Sequence, residues 1–193
     1  MTQSENEPIV LAVIIGSTRH GRFADVVGDW FAGIATARAD LTVDVIDLAE
    51  TPLPGNMPRP APPEVQAFAA RISAADAFVV ITPEYNHSYP GPLKVAIDTV
   101  KDGWAAKPVG FVGYGGMSGG LRAIEHLRAV FAELHATTVR DTVSFHGAWL
   151  RFDDEGRPRD ADQCGAAATK LLDQVVWWGR ALRDARAVRP YAS

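Results

Sequence analysis

The chain reads as a doubly wound α/β protein, a parallel sheet with helices packed on both faces. Three observations predict this. Apolar runs rich in β-branched residues alternate with stretches at helical spacing along the 193 residues. The strand-like runs are nearly continuous, as they are in strands buried on both faces. The unusual glycine- and proline-rich segments fall between a strand and the next helix, where open sheets of this kind hold ligands. The length suits one domain, residues 8–188, with tails at 1–7 and 189–193.

The first strand is Ile9–Ile15, IVLAVII, ended by Gly16. Phe23–Arg38 follows as a helix, with Val26, Val27, Trp30, Phe31 and Ile34 at helical spacing. Leu41–Leu48 is a second strand, with a less clean pattern. Residues 51–63 are proline-rich and carry a Pro-Gly-Asn turn, so they form a loop. Glu64–Ala75 is a short helix and Ala77–Thr82 the third strand. A helix over Gly91–Val100 starts after Pro90. Pro108–Val112 is the fourth strand, with the glycine-rich run 113–120 after it. Leu121–His135 is an amphipathic helix and Thr137–Phe145 the fifth strand. A charged turn at 151–160 leads to a terminal helix over Ala161–Ala187. Of the adjacent Trp177 and Trp178, one is expected in the core and the other on an interface. Trp104 fits either place, and His126 and His135 need no role.

Composition narrows the function. Hydrophobic residues are 47% and charged residues 22%, which excludes a mainly disordered chain. The net charge of −4 lacks the basic footprint of a nucleic-acid binder. Cys164 is the one cysteine, so no internal disulfide or cysteine cluster forms, and a reducing cytoplasm fits. No run is long enough to span a bilayer and no signal-peptide pattern opens the chain, so no membrane partner is expected. No spacing of Asp, Glu and His suggests a metal site.

Three loops carry the chemistry. Gly16-Ser17-Thr18-Arg19-His20-Gly21-Arg22 joins a buried strand to a helix and offers amides at a helix N-terminus, hydroxyls and two guanidiniums. Such a set holds a phosphate. Gly16 and Gly21 have the spacing of a Walker A loop, but Arg22-Phe23 replace its Lys and Ser/Thr, so a phosphate monoester fits better than a nucleoside triphosphate. The second loop, Thr82 to Pro92, is dense in proline, aromatic and amide groups; it suits a planar heterocycle or an ordinary surface loop. The third, 113–120, has glycines at five of eight positions and lets backbone approach a ligand, or is a flexible turn.

GSTRHGRFADVVGDW and TPEYNHSYPGPLKVAIDTV, in that order, resemble the NADPH-dependent FMN reductase family of flavodoxin-like proteins. The second motif matches at Pro83, Glu84, Tyr85, Asn86, Ser88, Pro90, Gly91, Leu93, Lys94 and Asp98, and the resemblance extends over about residues 9–180. Val95 departs from it, since many members have Asn there, and Arg22 stands near where many have a phosphate-binding Ser. The resemblance implies a flavodoxin-like three-layer α/β/α sandwich with five parallel strands in order 2-1-3-4-5. It implies that Ser17, Arg19, Gly21 and Arg22 hold the FMN phosphate and that Pro83, Glu84, Tyr85 and Asn86 border the isoalloxazine. Gly115, Gly116, Ser118 and Gly119 would approach the ring. The implied activity is reduction of bound FMN by NADPH or NADH and electron transfer to a flavin, quinone, azo or metal-oxyanion acceptor, in a homodimer or homotetramer. The chemistry belongs to the flavin, so no catalytic acid or base is assigned.

Two other readings compete. Gly116-Met117-Ser118-Gly119-Gly120 matches the G-x-S-x-G of a serine hydrolase, with Asp141 and His146 as the candidate triad partners. A non-catalytic flavodoxin-like electron carrier would share the fold, though such carriers are usually more acidic.

Overall fold

The computed structural model describes residues 7–192; residues 1–6 of the expected N-terminal tail, and Ser193, lie outside them. Eleven elements run β1 Ile9–Ile15, α1 Ala24–Thr36, β2 Leu41–Asp47, α2 Pro63–Ala74, β3 Ala77–Pro83, α3 Gly91–Thr99, β4 Pro108–Gly115, α4 Leu121–Glu133, β5 Thr137–His146, a 3-10 turn at Ala148–Leu150, and α5 Ala161–Val188. The five strands are all parallel and lie in the order β2-β1-β3-β4-β5. The chain therefore reverses its direction of winding between β1 and β3, and that switch point opens a crevice at the carboxyl ends of the strands.

Each face of the sheet carries its own core. On one, α1 and α5 cover Leu11, Val13, Val79, Val112 and Tyr114. On the other, α2, α3 and α4 cover Ala12, Ile14, Phe78, Val80 and Phe111. Large side chains fill both layers: Phe31, Phe78, Trp104, Phe111 and Phe131 are fully buried. Burial of one such side chain stabilises the fold by roughly 1.5 to 3 kcal/mol. The indole of Trp104 donates to the Val100 carbonyl at 2.7 Å, so its burial leaves no unpaired donor. Trp177 and Trp178 are 63% and 38% exposed, so neither enters the core as expected for one of them. They lie side by side on the outer surface of α5, past the face that Leu171, Leu172, Val175 and Val176 present to the sheet.

The fourth strand runs three residues beyond Val112. Glycine weakens strands, so the sequence pattern points to an earlier end. Here Gly113, Tyr114 and Gly115 stay in register with Ser144, Phe145 and His146 of β5. Gly113 is needed because a Cβ there would stand 2.8 Å from the Gly119 carbonyl oxygen.

The amino edge of the sheet is clasped by α5. Arg183 donates to the Pro8 carbonyl at 3.1 Å and pairs with Asp76 at 3.4 Å; Arg186 reaches Asp76 at 3.4 Å, and Asp76 also accepts from the Val10 amide. These ties hold one end of the sheet and leave the other to the loops.

Candidate functional site

The three loops that stand out in the sequence meet at the carboxyl edge. Ile15 lies beside Asp47 of β2 and Ile81 of β3, and the Gly16 amide continues the ladder to the Ile81 carbonyl at 2.9 Å. The chain then turns into α1 through Gly21, whose φ of +63° is left-handed. Ser17 is buried, while Thr18, Arg19, His20 and Gly21 are exposed. Arg22 is tied to groups of the chain itself. Its guanidinium grips both oxygens of Asp47, the Ser17 carbonyl and, at 2.8 Å, Asp25. Those contacts raise its pKa, the Asp47 bond most of all. Burial pushes Asp47 up, but the Arg22 bond and the Ala49 amide win and hold it below the usual range. With its donors engaged by protein groups, Arg22 braces the loop.

Arg19 is the opposite case. Among the described residues no carboxylate pairs with it, and its guanidinium lies over the Tyr85 ring, 3.5 Å from the centroid. The Tyr85 hydroxyl is 2.9 Å from Ser17 Oγ, so the second loop is bonded to the first. Tyr85 and Ser88 exchange backbone hydrogen bonds around Asn86 and His87, whose φ values are +50° and +72°. Two left-handed residues between a bonded pair form the tight turn that projects Asn86 outward. Beneath this junction Tyr114 is 5% exposed, with its hydroxyl on the Ser17 side of the first loop. Burial drives that phenol above its ordinary range.

The third loop covers 116–120, shorter than its glycine content suggests. Gly120 (φ +87°) turns it into α4, where a Cβ would stand 2.7 Å from Gly113 Cα. Gly119 (φ +59°) has no room for a side chain beside Ser144 and His146. Gly115 sits against Glu84, and Trp149 lies 3.6 Å from where a Cβ on Gly116 would be. Glu84 points away from open solvent. Its side chain is 6% exposed and accepts from the Ser118 hydroxyl, the Arg122 amide at 3.2 Å and Arg122 Nε at 2.6 Å. Burial raises its pKa, yet Ser118 and Arg122 outweigh that and keep it ionised. Sequence reasoning missed Arg122. Its only signal was position, the second residue of a helix that follows the glycine loop.

No hydrolase triad assembles on Ser118 among the described residues. His146 Nδ1 bonds the Met117 carbonyl at 2.9 Å, and Asp141 is held by Lys170 and Arg140. The Ser118 hydroxyl faces a carboxylate and a guanidinium, with no imidazole to take its proton. No cluster of three or more metal-ligating side chains occurs among the described residues, and none of their helices is long and apolar enough to cross a membrane.

The residues fit FMN. A terminal phosphate needs amides and an uncommitted cation at a helix N-terminus, and the first loop supplies both, with Arg19 as the cation. A flat ring needs a backbone-lined, side-chain-free approach, which Tyr85, Asn86 and the glycine loop frame.

Comparison with known proteins identifies the family. The family model of NADPH-dependent FMN reductases matches residues 9–150. An FMN-dependent NADPH-azoreductase of Staphylococcus haemolyticus is 31% identical over 173 residues, covering 85% of this chain and 92% of that protein. A probable NADPH:quinone oxidoreductase of Oryza sativa is 36% identical, covering 83% and 88%. In structure, the flavoenzyme NAD(P)H:(acceptor) oxidoreductase FerB of Paracoccus denitrificans superposes with a TM-score of 0.72 at 24% identity, over 90% of this chain and 98% of that one, and shares the fold. By its motifs, its sheet order and the extent of these matches, the chain belongs to the NADPH-dependent FMN reductase family.

Proposed function

We propose that this chain takes electron pairs from NADPH or NADH through bound FMN and delivers them to small acceptors of the quinone and azo type. The observation that carries this reading is the junction of the three loops, where the uncommitted Arg19 lies on Tyr85 and Tyr85 is bonded to Ser17. That arrangement offers a phosphate cradle and a planar-ring site side by side. The redox chemistry is that of FMN, a hydride acceptor toward nicotinamide and an electron-pair donor toward quinones.

The chain's own residues bind and orient. Arg19, Ser17 and the amides through Gly21 hold the phosphate, and Arg22 fixes that loop through Asp47. Pro83, Glu84, Tyr85 and Asn86 border the ring, with Gly115, Gly116, Ser118 and Gly119 closing on it. None of them acts as an acid or base. Relatives named for azo compounds and quinones support the choice of acceptors. The single cysteine and the mildly acidic charge support a cytoplasmic protein without nucleic-acid or membrane partners, and the family resemblance supports a homodimer or homotetramer.

The test is direct. Purified protein should show the absorption bands of oxidised flavin, alone or after FMN is added. It should then oxidise NADPH or NADH faster when a benzoquinone is present. Protein that binds no FMN at micromolar concentration sinks this reading. Protein that binds FMN yet oxidises neither nicotinamide would instead favour an electron carrier.

A further inference from the structure

Glu84 is an ionised group whose side chain is largely covered, and a covered charge is favoured when it is paired and hydrogen-bonded. Its side-chain partners come from the glycine loop and from the first turn of α4. Ser118 donates to one carboxylate oxygen, the Arg122 amide donates to the same oxygen at 3.2 Å, and Arg122 Nε lies 2.6 Å from the other. Arg122 Nε also stands 3.2 Å from Ser118 Oγ. The guanidinium thus reaches back across Gly116-Met117-Ser118-Gly119-Gly120 and ties the first turn of α4 to the β3 loop. Met117 in that loop is 93% exposed, so no burial of its side chain anchors the segment.

We propose that Arg122 is a positioning residue: by clasping Glu84 and Ser118 it holds the glycine loop in place and balances the Glu84 charge beside the flavin, so that flavin affinity and reduction potential both depend on it. This rests on the reading of these loops as the flavin site. Without Arg122 the carboxylate stands uncompensated, and its field opposes the addition of electrons to a nearby ring. Without the carboxylate the opposite holds. A residue that only stabilised the fold would not give shifts of opposite sign.

The experiment compares Arg122→Ala, Arg122→Lys and Glu84→Gln with the parent protein. It measures FMN affinity by flavin fluorescence and midpoint potential by dye equilibration. Arg122→Ala should bind FMN about tenfold or more weakly, the size of one lost charge-assisted hydrogen bond, and its potential should fall. Arg122→Lys, which keeps the charge, should recover most of the potential. Glu84→Gln should shift the potential upward. Shifts of one sign in both Ala and Gln variants, or unchanged affinity and potential, overturn the proposal. Amide exchange of residues 116–120 in flavin-free protein tests the clasp by itself. Faster exchange is expected in Arg122→Ala, and equal exchange overturns the proposal even if the parent binds no flavin. Should Arg122→Ala fail to fold, Arg122→Gln is read in its place against the same expectations.

Discussion

Arg19 and Arg22 are three residues apart in one loop, and nothing in the sequence tells them apart. Only the fold separates them. Asp47 ends β2 next to the first loop, and its carboxylate engages Arg22 but not Arg19. That pairing joins residues 25 apart in the chain, so no local pattern announces it. Glu84 and Arg122 are 38 apart and equally hidden. The loops themselves were legible because glycine, proline and hydroxyl residues are dictated by local backbone needs, whereas ion pairs across loops depend on strand order. The separation has a measurable consequence. Arg19→Ala should weaken FMN binding roughly 10- to 150-fold, the range for a lost charge-assisted hydrogen bond. Riboflavin, which lacks the phosphate, should bind almost as before. Isothermal titration of both ligands checks this, and equal losses would remove Arg19 from the phosphate site.

At the scale of elements, the strands and helices were legible to within a few residues because buried parallel strands leave continuous apolar runs. The exception, the end of β4, was hidden by glycines that serve packing. Gly120 is the most constrained of them. Gly120→Ala puts a Cβ at a left-handed residue and 2.7 Å from Gly113 Cα, so both strain and overlap oppose it. Urea unfolding should show a loss of about 2 kcal/mol or more, and a loss under about 0.5 kcal/mol would contradict the close approach of the α4 start to β4. Lys107, just before β4, is a second element-level device. It is 7% exposed, and its ammonium donates to the Ile72 and Ser73 carbonyls at 3.0 and 2.9 Å, tying β4 to the end of α2. Burial lowers its pKa to about 8; Arg186 pushes the same way and Asp76 opposes. Between pH 8 and 10.5 the unfolded chain holds the proton more often than the folded one. Stability from this group therefore rises with pH across that window, by roughly 3 kcal/mol. Lys107→Met should lack the rise, and parallel stability–pH curves for the two proteins would refute it.

At the scale of the whole molecule, the parallel α/β class followed from the alternation of elements, and the strand order from the family resemblance. The apolar surface is a matter of packing that periodicity alone does not give. Leu93, Ala96, Ile97 and Val100 of the α3 segment face the core and Val95 is half-buried, so this segment leaves little apolar surface open. Exposed apolar side chains gather elsewhere, at Trp149 and Leu150 after β5 and at Trp177 on α5. A two-fold pairing that covers such groups is the commonest solution, and sedimentation of the purified protein should give twice the monomer mass or a higher even multiple. A monomer that binds FMN and turns over would show that one chain completes the site. The clasp of α5 on the amino edge of the sheet bears on handling as well. Pro8, at the start of the described chain, lies 3.1 Å from Arg183 near the end of the last helix, and the flavin loops lie at the opposite edge. A short peptide could therefore join residue 8 to the segment after Val188 with little distortion, giving a circular permutant opened at the charged turn 153–157. Immobilisation through residue 8 or through the segment after Val188 would likewise leave the three loops at the carboxyl edge turned toward solution.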